Sequence, residues 1–187
     1  MRLTMSLSIA AFAGALAFCA AGQARDPAPD EPRIVTSEAP RPAVTDNKNP
    51  EDIEFLTDAL RTSLAEVQIG ALATQRSDDT RVREYGAKLK SHHTQQAAEI
   101  KRLLGPVGVT IPAEPSAEAQ SHHAALARLS GRKFDNAFVE MMIASHKEAI
   151  EQYGAQTHAN PDRALADFAS KSLPTLREHL ATAESLR

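Results

Sequence analysis

Four long stretches of this chain place apolar residues at the spacing of one face of an α-helix, and this repeat limits the fold more than any other feature. Two of the stretches open with helix-start signatures, Asn49-Pro50-Glu51-Asp52 and Asn160-Pro161-Asp162. Tryptophan is absent and aromatic residues make up 4% of the chain, so alanine, leucine, isoleucine and valine must form the core. We therefore predict an all-α protein.

The predicted helices are joined by connections of unequal length. The four long helices cover about 50–76, 80–104, 132–158 and 162–187, and a short helix covers about 116–130. A short turn joins the first two long helices, and another joins the last two, so each of these pairs is antiparallel. The connection between the pairs, which contains the short helix, can travel the length of a bundle. One long crossover between two hairpins is the ferritin-like four-helix bundle, and we predict this single domain over residues 49–187.

The first 24 residues are typical of an export signal. Arg2 supplies a positive charge, an apolar stretch rich in alanine and leucine follows, and Gly22-Gln23-Ala24 has the small residues that signal peptidase requires. The alternative is a retained membrane anchor, because the stretch approaches the roughly 20 residues of a membrane span. The small residues favour cleavage near Ala24 and hence an exported protein.

The single cysteine, Cys19, lies within this signal. A lipoprotein signal would have a small residue immediately before the cysteine, whereas Phe18 stands there, so lipidation at Cys19 is disfavoured. Removal of the signal would leave no disulfide, thiolate metal site or cysteine nucleophile. Residues 25–48 are rich in proline and charge and predict a disordered tether, which could hold the domain near an envelope or membrane-associated partner.

Charge and motifs exclude several functional classes. The formal net charge is −3 and the basic residues do not form a stripe, so we expect no nucleic-acid partner. The sequence has no glycine-rich phosphate loop and no HExxH motif, and it offers no convincing catalytic triad. We therefore favour a protein that is not an enzyme.

Three histidines lie on the apolar faces of three different long helices. They are His93, His146 and His179, and Glu66 occupies a comparable position on the first helix. Side chains that project inward from facing helices form metal sites in four-helix bundles. Imidazoles with one carboxylate suit Fe, Mn, Cu or Zn, and the sequence does not choose among these ions. The alternative is a metal-free polar network of the same residues that fixes the helix register.

Helix rise tests whether these four residues can meet. At about 1.5 Å per residue, Glu66 lies roughly 15 Å, His93 roughly 22 Å, His146 roughly 21 Å and His179 roughly 11 Å above the first turn. Each side chain leans toward the N-terminus of its helix, which reduces this spread. The geometry allows a shared site and leaves both alternatives open.

Three further histidines of the predicted domain are weaker candidates. Adjacent histidines on a helix point in different directions, so we expect His92, His122 and His123 to be mostly solvated. Only His92 remains as a further candidate ligand. Met142 lies one turn before His146 and is expected to pack in the core.

Short motifs between residues 52 and 186 carry a family resemblance. They are Phe55-Leu56, Ala65-Glu66-Val67, His93-Thr94, Ser130-Gly131, Phe134-Asp135, His146-Lys147-Glu148 and Leu173-Pro174-Thr175-Leu176-Arg177-Glu178-His179-Leu180. In these motifs the chain resembles an uncharacterised bacterial envelope family with a ferritin-like fold, the domain-of-unknown-function family 4142. The resemblance implies a secreted bundle, in the periplasm or associated with the outer membrane, and no established activity.

The resemblance does not extend to the di-iron chemistry of ferritins. Ferritin sites use Glu-x-x-His pairs, and the residues three positions before His93, His146 and His179 are Lys90, Ile143 and Leu176. Our leading hypothesis is an exported bundle that binds one transition-metal ion or a small cluster through Glu66, His93, His146 and His179, for metal handling or stress protection of the envelope. The second hypothesis is a non-enzymatic envelope module in which the same histidines and Glu66 form a metal-free network.

Overall fold

In a computed structural model, residues 48–157 and 160–187 are described. The predicted signal peptide, with Cys19 and the cleavage site near Ala24, lies outside the described residues, as does the predicted tether except Lys48. The described residues form helices and contain no strand, so the predicted all-α class is confirmed. No helix among them is long and apolar enough to cross a membrane.

Four long helices and one short helix make up the described part. They are α1 (Pro50–Arg76), α2 (Thr80–Leu104), α3 (Ala117–Leu126), α4 (Gly131–Gln156) and α5 (Arg163–Ser185), with a single 3₁₀ turn at Gly105–Val107. The short helix α3 ends earlier than expected, because Arg128 and Leu129 donate to carbonyls only three residues back. The predicted end of α4 at His158 lies outside the described residues.

Capping side chains mark where three of the four long helices begin, namely α1, α2 and α5. The side chain of Asn49 accepts a hydrogen bond from the backbone N–H of Asp52 at 2.8 Å, and Asp79 caps α2 in the same way. Asp162 accepts from two N–H groups of the first turn of α5, and it also binds the buried ammonium of Lys48. Each such cap contributes about 1 kcal/mol to stability. Lys48 therefore packs with the helices, although the predicted tether included it.

Two clusters of buried apolar residues reveal the directions of the helices. The first cluster joins the N-terminal parts of α1 and α5 to the C-terminal parts of α2 and α4; it includes Leu56, Leu60, Ile100, Leu104, Tyr153, Leu165 and Phe168. The second cluster joins the opposite parts of the same helices; it includes Ile69, Leu72, Tyr85, Leu89, Phe138, Met142 and Ala183. Helices α2 and α4 are therefore parallel, and the connection between them runs from one end of these helices to the other.

Helices α1 and α2 come into close backbone contact at two glycines. A Cβ atom on Gly70 would lie 2.5 Å from the carbonyl oxygen of Gly86, and one on Gly86 would lie 2.7 Å from the carbonyl oxygen of Gly70. Such distances are shorter than any side chain tolerates, so this approach requires glycine on both helices. The contact lies one turn from Glu66 and holds the two backbones together beside the candidate site.

Candidate metal centre

Glu66, His93, His146 and His179 meet in the interval between the two apolar clusters. Each of the four long helices contributes one of them, and none is more than 3% exposed. One ring nitrogen from each of the three histidines can be chosen so that all three lie within 4.8 Å of one another. We call these four residues the polar layer.

Short contacts connect the four side chains of the polar layer. His93 Nε2 lies 2.7 Å from Glu66 Oε2, and His146 Nε2 lies 3.5 Å from the same oxygen. His146 Nε2 also lies 3.1 Å from His179 Nδ1. One carboxylate oxygen and three imidazole nitrogens therefore face a common centre.

Two atoms of this centre are buried without a properly directed hydrogen bond from any described residue. They are Glu66 Oε2 and His93 Nε2. They lie only 2.7 Å apart, so a charged His93 pairs with the carboxylate, whereas a neutral His93 with its proton on Nδ1 leaves both atoms without a partner among the described residues. A buried polar atom left unsatisfied costs about 1–3 kcal/mol, so two of them beside two further nitrogens are suited to a shared ligand. This donor set fits a transition-metal ion.

The outer nitrogens of two imidazoles have acceptors that fix the ring protons. His146 Nδ1 lies 2.9 Å from the carbonyl oxygen of Met142, one turn earlier on α4. Because a carbonyl can only accept, His146 carries a proton on Nδ1. In its neutral form, its Nε2 lone pair faces the centre. His93 Nδ1 lies 2.9 Å from Gln96 Oε1, which favours the same tautomer. Outer contacts of this kind orient histidines that bind metal ions.

A serine on α4 orients the carboxylate of the polar layer. Ser145 Oγ donates a hydrogen bond of 2.6 Å to Glu66 Oε1, the oxygen that does not face the histidines. Oε1 is thereby occupied and Oε2 is directed to the centre. The adjacent residues Ser145 and His146 thus position the carboxylate and supply one imidazole from the same turn of α4.

Burial and charge act in opposite directions on the pKa values in the polar layer. Burial raises the pKa of Glu66, but His93 and His146 outweigh this and hold it well below its usual 4.5. Burial lowers the pKa of His93, but the Glu66 carboxylate outweighs this and raises it above 6.5. Burial and then the neighbouring His146 and His93 lower the pKa of His179 to about 3. At neutral pH an anionic carboxylate therefore faces a neutral His179, which suits cation binding.

His92 lies against the polar layer, so the expectation that it is mostly solvated is wrong. Its Nδ1 is 2.8 Å from His179 Nε2, and the two ring planes lie within 17° of parallel with centroids 5.0 Å apart, so the rings meet edge to edge. The side chains of His92 and His93 do point in different directions from α2, but α5 packs against both of them. The sequence gives no signal for this contact, because the contact depends on where α5 packs.

Two clefts reach the polar layer from opposite sides. A cleft of about 240 Å³ between α2 and α5 is lined by His92, His93 and His179, among others. A second cleft of about 490 Å³ beside α1, α3 and α4 is lined in part by Glu66 and Ser145. Both clefts therefore border side chains of the polar layer, whose donor atoms Glu66 Oε2 and His93 Nε2 are themselves buried.

Comparisons with known proteins identify a family and a similar fold. The sequence profile described as Domain of unknown function (DUF4142) matches residues 37–186. The crystal structure of a DUF305 fragment from Deinococcus radiodurans is similar, with a TM-score of 0.65 and 20% sequence identity over 74% of this chain and 95% of that chain. At this identity the likeness concerns the fold alone. No curated protein matches this chain.

Proposed function

This chain belongs to the family described as Domain of unknown function (DUF4142), and we propose that it binds one transition-metal ion in the core of a ferritin-like four-helix bundle. The ligand atoms are Glu66 Oε2, His93 Nε2, His146 Nε2 and His179 Nδ1. The protein is exported to the periplasm or the outer membrane, where it handles metal ions or protects the envelope against stress.

The convergence of unsatisfied donors carries this proposal. Glu66 Oε2 and His93 Nε2 lack directed hydrogen bonds from the described residues, whereas the outward atoms of the polar layer are bonded to Ser145, Gln96 and Met142. A metal-free network selected for stability would pair its buried nitrogens and oxygens with one another. A layer whose outward atoms are bonded, while Glu66 Oε2 and His93 Nε2 face inward without a directed hydrogen bond, favours an ion at the centre.

The composition of the polar layer limits the kind of metal site. Three imidazoles and one carboxylate suit a single Zn, Fe, Mn or Cu ion. A ferritin-type di-iron centre needs several bridging carboxylates, and Glu66 is the single carboxylate of the layer. We therefore propose one ion and no ferroxidase centre.

The alternative function is a non-enzymatic envelope module with a metal-free polar layer. The 2.7 Å contact between Glu66 and His93 favours it, because a protonated His93 would form a buried ion pair with the carboxylate. In this alternative the predicted tether, residues 25–48, directs the domain to a partner. Deleting the tether would then abolish function, and chelating metal would change nothing.

Elemental analysis of the untagged protein tests the proposal. Wild-type protein reconstituted with Fe, Mn, Cu or Zn and then desalted should retain close to one ion per chain. The His93→Ala, His146→Ala double variant should retain none while keeping its helical circular dichroism. The matched control is His122→Ala, His123→Ala, which removes two histidines of α3 and should load like wild type. The site would be rejected if the wild-type protein retained no metal, or if the metal content of all three proteins were equal.

A further inference from the structure

His179 uses both of its ring nitrogens to contact other histidines. Its Nδ1 lies 3.1 Å from His146 Nε2, and its Nε2 lies 2.8 Å from His92 Nδ1. The proton of neutral His146 is fixed on Nδ1 by the carbonyl of Met142, so His146 Nε2 can only accept. Without metal, His179 Nδ1 must therefore donate to His146. Neutral His179 has no second proton, so its Nε2 accepts from His92 Nδ1.

Metal binding at His179 Nδ1 requires the opposite arrangement. The lone pair of Nδ1 then belongs to the ion, so the single proton of neutral His179 must lie on Nε2. Nε2 then donates to His92 Nδ1, which becomes an acceptor, and the proton of His92 lies on its own Nε2. Each ring carries one proton in both states, and only the positions of these protons change, by exchange with water.

His92 is suited to both arrangements because of where it lies. It is half-buried and lines the cleft between α2 and α5, and no side chain or carbonyl of the described residues holds its Nε2. His146, by contrast, cannot change tautomer without losing its bond to Met142. Of the two histidines that contact His179 through hydrogen bonds, His92 is the adaptable one.

We propose that His92 is a positioning residue for the metal site, and that the hydrogen bond between His92 and His179 reverses its direction when the ion binds. This inference rests on the proposed function. His92 does not ligate the ion in this account. It holds the ring of His179 and, when the ion occupies Nδ1, accepts the hydrogen bond from the proton that His179 then carries on Nε2.

An isosteric pair of variants tests the role of His92. The amide of His92→Asn can rotate to donate or accept near the position of Nδ1, whereas His92→Leu has similar size and can do neither. Zn²⁺ affinity, measured by competition with a chromophoric chelator, should fall roughly 10- to 100-fold in the leucine variant. The asparagine variant should remain close to wild type. The thermal unfolding of both metal-free variants serves as the folding control.

Nitrogen-15 NMR of the imidazole rings gives a second readout that needs no variant. His179 of the wild-type chain should carry its proton on Nδ1 without metal and on Nε2 with Zn²⁺. An unchanged tautomer, or a leucine variant that binds Zn²⁺ as tightly as wild type, would overturn the inference and leave the proposed function standing. Equal losses in both variants would make His92 a ligand and also overturn it. Failure of the wild-type chain to bind any of the four metals would instead remove the proposed function itself.

Discussion

His93 of α2 lies 2.7 Å from Glu66 of α1, one to two turns from the point where Gly86 and Gly70 bring the same two helices together. The close glycine contact fixes the spacing of the helix pair, and the spacing determines how near the imidazole and the carboxylate can come. The candidate metal site therefore depends on packing outside the site as well as on its own side chains.

Substituting Gly70 by alanine should weaken this packing. The new methyl group would lie 2.5 Å from the Gly86 carbonyl oxygen and 3.0 Å from the Lys90 backbone nitrogen, so the helices would have to separate. We expect a loss of about 1–3 kcal/mol in the free energy of unfolding, measured by urea denaturation. Gly154→Ala is the matched control, because its Cβ would meet nothing within 4 Å and alanine favours a helix. Equal effects of the two changes would contradict the packing argument.

Glu66→Gln should lower the pKa of His93. The glutamine keeps the size of the side chain and an acceptor for Ser145 but removes the charge that raises the pKa of His93. Burial then dominates, and His93 should titrate below its usual 6.5. An NMR pH titration of the metal-free protein measures this change directly. A His93 pKa that stays above 6.5 in the variant would show that Glu66 is not its cause.

The metal-free protein should lose stability in acid, partly through His179. The unfolded chain protonates this residue near 6.5, whereas the folded chain keeps it neutral down to about 3. The unfolded state thus binds more protons in this window, and stability falls as the pH decreases. The lowered pKa of Glu66 adds to this loss of stability below pH 4.5. His93 acts oppositely: its raised pKa stabilises the fold below 6.5, and this contribution disappears as the pH rises through the folded value.

A His179→Leu variant isolates the contribution of that residue. In urea denaturation of chelator-treated protein, its stability should decrease less between pH 6.5 and pH 4.5 than that of wild type. Parallel pH profiles for the two proteins would show that His179 takes up a proton in the folded state and would refute the expected slope.

Replacing the whole polar layer by leucine should separate metal binding from folding. Apolar substitution of a buried ionic cluster is often neutral or stabilising by about 1–4 kcal/mol. We expect the variant Glu66→Leu, His93→Leu, His146→Leu, His179→Leu to unfold cooperatively, with stability equal to or above that of metal-free wild type, and to bind no metal. Loss of cooperative unfolding would indicate that the layer fixes helix register, which is the metal-free alternative.

Local signals explain why the helices could be predicted from the sequence. Asn49, Asp79 and Asp162 cap their helices through hydrogen bonds to residues two or three positions away, so the information lies within one turn. The common location of Glu66 and the three histidines could also be predicted. An inward-facing residue stays on the inner face of its helix even when the predicted ends of the helix are a few residues wrong. The metal itself and the export signal remain predictions.

Contacts between helices explain what the sequence could not predict. The rise of ideal helices left His179 about two turns from His93, since it ignores how packed helices shift along one another. The contact of His92 with His179 and the bond from Ser145 to Glu66 each depend on a neighbouring helix. The close approach at Gly86 could not be predicted for the same reason. A glycine in a helix does not indicate which residue of another helix will pack against it.

Anomalous X-ray diffraction from crystals of metal-loaded, untagged protein tests the central claim most directly. Data at the absorption edge of the bound metal should show one strong peak between the four long helices. The peak should lie about 2.0–2.2 Å from Glu66 Oε2, His93 Nε2, His146 Nε2 and His179 Nδ1. A peak elsewhere, such as at His122 and His123 on α3, or the absence of any peak in fully loaded crystals, would contradict the account.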